Sequence, residues 1–132
     1  MTPDPQALAM AMPFAVALGI DVTTATAEEV RGRMAWAPER CTTAGVLHGG
    51  ALITLADTLG AICAFLNLPP GAGTSTIESK TNFFAAVRSG HVEGVTHPLH
   101  VGRRTIVVQT DVRDGSGRRV AQVTQTQAVL VG

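Results

Sequence analysis

Residues Gly45 to Thr58 read GVLHGGALITLADT and set an acid in the middle of an apolar helix. A helix is expected from the Gly49-Gly50 pair to about Leu66, where Pro69 and Pro70 end it. Its apolar residues, among them Leu52, Ile53, Leu55, Leu59, Ile62 and Phe65, spread round the whole circumference. Such a helix is expected to be buried on nearly all sides. Asp57 stands at its centre, and an ionised carboxylate taken out of water costs several kcal/mol, roughly, unless it is paired or hydrogen-bonded. No Lys or Arg occurs between Cys41 and Thr76, so the local donors are the hydroxyls of Thr54 and Thr58. Asp57 is then either a core acid held by those hydroxyls or a working group; the second reading is the stronger.

At the helix start, Gly49 and Gly50 leave backbone N–H groups without intrahelical acceptors and without side chains to block approach. This is a place suited to an oxyanion or a polarised carbonyl. Asp57 lies eight residues beyond Gly49, about 12 Å along the axis at 1.5 Å per residue. A carbonyl held at Gly49 must lie about 3 Å from its donor and also near the base. Both groups can therefore serve one site only if a second copy of the chain supplies Asp57. A two-fold dimer with antiparallel central helices would do so twice.

Composition bounds the rest. The 132 residues suit one domain, residues 1–132. Charged residues make up 15% and apolar residues 45%, against about 25% charged in an average soluble domain. That shortage of charge implies a large buried subunit interface. Ten basic and ten acidic residues balance, which argues against general nucleic-acid or anionic-membrane binding. One Trp, four Phe and no Tyr provide no stacking platform for bases. The first twenty residues, MTPDPQALAMAMPFAVALGI, carry Asp4 and no basic residue, unlike the start of a secretory signal. Asp57 interrupts the longest apolar run, which lacks flanking anchors for a membrane span. The expectation is a soluble, cytoplasmic protein. Cys41 and Cys63 fit no CxxC pattern and are read as two reduced thiols, with Cys63 in the core. His91, His97 and His100 have no cysteine or acidic partner at ligand spacing, so no metal is expected.

Along the chain, Pro5 to Met12 reads as a short helix and Ile20 to Thr26 as a strand. Glu29 to Trp36 alternates, with Val30, Gly32, Met34 and Trp36 on one face. After the long helix and a Pro/Gly loop from Pro69 to Gly73 come three extended runs: Ser75 to Ala85, His91 to His97 and Arg103 to Val112. Asp114-Gly115-Ser116-Gly117 signals a hairpin turn, and Arg119 to Val131 is the last strand. One apolar helix among six strands implies an α+β fold, with an antiparallel sheet wrapped around that helix.

This order of elements, with LHGGALITLAD (47–57) and VGRRTIVVQTDVRDGSGRRVAQVTQT (101–126), resembles the hotdog-fold acyl-CoA thioesterases of the phenylacetate-pathway, 4-hydroxybenzoyl-CoA thioesterase-like branch. The likeness runs from about Phe14 to Leu130. It implies hydrolysis of an acyl- or aryl-acyl-CoA to free acid and coenzyme A, with no separate cofactor. It also implies a homodimer, assembled further as a dimer of dimers. Carried over, Gly49 would polarise the thioester carbonyl and Asp57 of the neighbouring subunit would be base or nucleophile. His48 would help shape this end of the site, as a contact to substrate or to backbone alone. A hydroxyl on the strand after the helix orients the water or the carboxylate; aligning through FFAAVRSG (83–90) puts Thr76 there, with Ser75 the alternative. Many members carry Asn or Gln six residues before the His. Here that residue is Thr42, beside Thr43, a shorter reach that bears on rate and acyl preference.

Coenzyme A carries phosphates, so the likeness also implies a basic border to the tunnel. Arg103, Arg104, Lys80 and Arg88 are the candidates, with Arg118 and Arg119 beside them and Gly50 at the helix start. No GxSxG elbow, phosphate-binding glycine loop or dinucleotide fingerprint occurs. Two other functions fit the same fold: an acyl-thioester hydratase, whose His-plus-acid signature is missing around His48, and an acyl-CoA binding or sensing module without turnover.

Overall fold

A computed structural model of the chain describes residues 4–132. The elements are α1 (Pro5–Met10), α2 (Pro13–Ala17), β1 (Asp21–Ala25), β2 (Val30–Ala35), α3 (Gly49–Phe65), β3 (Gly73–Phe83), β4 (His91–Val101), β5 (Thr105–Asp114) and β6 (Arg119–Leu130). Six strands form one antiparallel sheet in the order β1-β2-β4-β5-β6-β3. The sheet curls round α3 in the hotdog arrangement, the α+β fold expected from the sequence.

Proline explains two departures from the expected elements. The N-terminal segment is two short helices instead of one, because Pro13 takes the first turn of α2, where its missing N–H is tolerated. β4 runs on past His97 to Val101, since a bulge between Pro98 and His100 leaves Leu99 unpaired and lets the ladder continue beyond the proline. At the far end of α3, the Asn67 amide donates to the Cys63 and Ala27 carbonyls, both at 2.8 Å, closing the helix and tying it to the β1–β2 turn.

Two glycines let α3 lie against the sheet. Gly32 and Gly94 face each other across β2 and β4. A Cβ on either would stand 2.7 Å from a methyl of Leu59, itself wholly buried. The bare backbone there makes the hollow that Leu59 fills. Leu52, Leu55 and Ile62 of α3 belong to one buried core with Val92, Ile106 and Val108 of the sheet.

The expectation that α3 is buried on nearly all sides is corrected. Ile53, Asp57 and Phe65 are exposed, at four- and eight-residue spacing, so they form one uncovered stripe. The sheet curls only part of the way round. Beside the stripe lies β3, an edge strand bonded only to β6, with nine of its eleven residues exposed, Ile77 and Phe83 among them. No helix among the described residues is long and apolar enough to cross a membrane.

Candidate active site

The start of α3 is built by His48. As the N-cap, its Nδ1 accepts the N–H of Gly50 at 2.7 Å, and its own N–H donates to the Arg40 carbonyl at 2.9 Å. The sequence reading left both glycine amides open; the Gly50 N–H is instead taken by the cap. The Gly49 N–H, at the first helical position, has no acceptor among the described residues. A Cβ on Gly49 would stand 3.1 Å from the Phe83 ring, so glycine keeps this helix end in contact with β3. Gly49 and Thr42 line one cavity of about 430 Å³ with Phe83, Phe84 and Val87. His48 and Gly50 line a different one, of about 390 Å³, with Arg40 and Cys41. The helix start thus separates Thr42 and Gly49 on one side from His48 on the other.

Two turns further on, Asp57 is not held by its helix neighbours. Thr54 bonds back to the Gly50 carbonyl at 2.8 Å, and the donors to Asp57 come from the sheet. Its Oδ1 accepts from Thr76 Oγ1 at 3.1 Å and from Gln125 Nε2 at 2.9 Å. Thr76 Oγ1 in turn accepts from Gln127 Nε2 at 2.8 Å, and Gln127 Oε1 faces Thr74 Oγ1 at 3.2 Å. A bulge in β3 between Thr76 and Glu78 helps set Thr76 over the helix. Of the two strand hydroxyls weighed from the sequence, Thr76 reaches the acid. No described residue donates to Asp57 Oδ2, and the side chain as a whole is exposed.

Gln125 and Gln127 were not singled out from the sequence, although a signal was present. In β6 the inward positions run Ala121, Val123, Gln125, Gln127, Val129. Two amides in phase with the apolar face must have partners inside.

The basic residues fall into two groups. Arg88, exposed, lines a cavity of about 350 Å³ with Ser89 and Arg118, in the loop that follows Phe83 and Phe84. Arg103 and Arg104 are exposed in the β4–β5 turn, which the Arg104 carbonyl joins to β6 through the Val129 N–H at 2.8 Å; this is the end where β3 begins, remote from Gly49. Lys80 is exposed on β3. Arg118 pairs with Asp114 and Arg119 with Asp111. Among the described residues, no three His, Cys, Asp or Glu side chains gather as metal ligands.

An exposed carboxylate with one oxygen fixed and one open suits proton abstraction or nucleophilic attack. An unpartnered N–H at a helix start suits a developing oxyanion. The axial rise keeps the two about 12 Å apart within one chain.

The chain matches the model of the thioesterase superfamily over residues 44–121. It is 35% identical over 86 residues to the 1,4-dihydroxy-2-naphthoyl-CoA hydrolase of Escherichia coli, covering 65% of this chain and 63% of that protein. It is 36% identical over 86 residues to the proofreading thioesterase EntH of Cronobacter sakazakii, with the same two coverages. The matched stretch thus spans less than two thirds of either relative. Among solved structures, a thioesterase of Haemophilus influenzae superposes with a TM-score of 0.92 at 26% identity, covering 98% of this chain and 92% of that one.

Proposed function

Since the chain belongs to the thioesterase superfamily, we propose that it hydrolyses an acyl-CoA thioester to free acid and coenzyme A at a site shared between two copies of the chain. The observation that carries this reading is Asp57 itself: an acid on the open stripe of α3, with Oδ1 held by two donors and Oδ2 without a donor among the described residues. As an oxygen attacks the thioester carbon, charge develops on the carbonyl oxygen. The Gly49 N–H and the positive end of α3 stabilise that charge more than they do the ground state. In one route Asp57 takes a proton from water while the water oxygen bonds to the carbon; the C–S bond then breaks and the proton passes to the leaving sulfur. In the other, Asp57 forms the C–O bond and expels the thiolate, and water then cleaves the mixed anhydride.

Three features support the shared site. The two groups are too far apart within one chain, the Asp57 stripe is uncovered, and the adjoining β3 edge is unpaired and exposes Ile77 and Phe83. A second copy laid antiparallel along both would cover the stripe and bring its Asp57 to Gly49. An apolar cavity of about 270 Å³ lined by Leu8, Met12, Ala61, Ile62 and Phe65 begins one turn beyond Asp57 and supports an apolar acyl group. Arg88, beside the Gly49 end, suits a phosphate of coenzyme A. Thr42, on the same cavity as Gly49, stands where an amide is expected in the resembled family, and its shorter side chain reaches a smaller part of that cavity.

The test is the initial rate of CoA release from short, long and aryl-acetyl thioesters, for the wild type and Asp57→Asn. Loss of a positioned base is expected to lower kcat roughly 10²- to 10⁴-fold while the dimer persists. No turnover of any thioester by the wild type, with acyl-CoA still bound, would instead assign a binding or sensing module.

A further inference from the structure

The buried polar side chains of the sheet are mostly satisfied by one another. Thr96 and Thr110 share a hydrogen bond at 2.6 Å, and the Gln127 amide is engaged at both ends. Gln125 is different. It is wholly buried, its nitrogen donates to Asp57, and its oxygen has no donor among the described residues. Burying a carbonyl without a donor costs stability. The amide cannot turn round to find one, because a carboxylate only accepts and the nitrogen must face it.

The unpartnered oxygen lies against Gly60, three residues after Asp57 on the same face of α3. A Cβ there would stand 2.6 Å from Gln125 Cδ and closer still to Oε1. Only a bare helix turn leaves room for the amide. Glycine in a helix interior is itself unfavourable, so two local sacrifices converge on one hydrogen bond to Asp57.

We propose that Gln125, seated on Gly60, is a positioning residue for hydrolysis. With Thr76 it anchors Oδ1 of Asp57 and leaves Oδ2 as the oxygen that takes the proton of water or bonds to the acyl carbon. The proposal rests on Asp57 being the base or nucleophile. It holds for either route, since both need one defined oxygen aimed at one carbon.

The experiment measures kcat, KM and Tm on the wild type's fastest thioester, for Asp57→Asn, Gln125→Leu, Gln125→Ala, Gly60→Ala and the Gln125→Ala/Gly60→Ala double variant. Leucine fills the amide's volume and removes the orphaned carbonyl. Gln125→Leu is therefore expected to keep or raise Tm and leave KM nearly unchanged, while kcat falls roughly tenfold to a hundredfold. Gly60→Ala is expected to displace the amide and lower kcat alike, with no further loss when added to Gln125→Ala. A merely structural role would move Tm and spare kcat. If Asp57→Asn is inactive but Gln125→Leu turns over like the wild type, or if the Gly60 and Gln125 effects simply add, the positioning role is wrong and the functional reading stands. A wild type that hydrolyses no thioester overturns the functional reading, and this proposal with it.

Discussion

Cys63 and Cys41 differ in what surrounds their sulfur, and any thiol-based assay of this protein will register the difference. Cys63 is wholly buried in α3, and burial pushes its thiol up to about 11. At pH 8 about one part in a thousand of such a thiol is thiolate. Cys41 is half-buried beside a cavity that opens to the surface. One thiol is therefore expected to react with an aromatic disulfide reagent in the native protein and two after denaturation; rapid reaction of both in the native state would contradict the burial. Asp57 was legible at this same scale, because a lone acid in an apolar run is anomalous wherever the chain goes. Of its donors, Thr76 was legible only through the family resemblance and Gln125 not at all: they lie 19 and 68 residues further along the chain, and only the strand order brings both over the helix.

The turn of the β5–β6 hairpin, read from its DGSG sequence, is organised by one side chain. Asp114 Oδ1 accepts from the Ser116 hydroxyl at 2.6 Å and from the backbone N–H groups of Ser116 and Arg118, and Oδ2 accepts from Arg118 Nε at 3.2 Å. The Ser116 hydroxyl first, then those N–H groups and the guanidinium, hold the carboxyl below its ordinary value. A group lowered in the folded state contributes stability above its unfolded pKa and loses it as pH falls through the folded one. The melting difference between wild type and Asp114→Asn is thus expected to be full at neutral pH and to shrink below about pH 4; a difference independent of pH would refute it. For α3 and the sheet, the Gly32–Gly94 hollow sets the approach. Gly32→Ala would push a methyl into Leu59 and towards the Asp21 carbonyl, 3.1 Å away. A loss of about 1–3 kcal/mol is expected by urea denaturation. The long helix and most strands were legible because their apolar periods are local. The second N-terminal helix and the reach of β4 past Pro98 depend on where a proline falls relative to a helix turn or a bulge.

For the whole molecule, the proposed shared site makes a prediction that no single-chain site can meet. Asp57→Asn and Gly49→Pro, which removes the N–H at a helix position tolerant of proline, should each be inactive alone. Mixed one to one and allowed to exchange subunits, half the dimers carry one intact site of two, so about a quarter of wild-type activity should return. No recovery, with exchange verified, would place both groups' work within one subunit. The sequence by itself determined the fold class, the central helix and the two groups proposed to react, since these follow from composition, period and the fixed rise of a helix. Only the tertiary structure decided that the Asp57 stripe is open, that His48 occupies the Gly50 amide and that Gln125 joins Thr76 in holding the acid. The physical reason is that exposure and hydrogen-bond pairing depend on which strands lie beside the helix. That neighbourhood is set by a β6–β3 edge formed between segments that are distant in the chain.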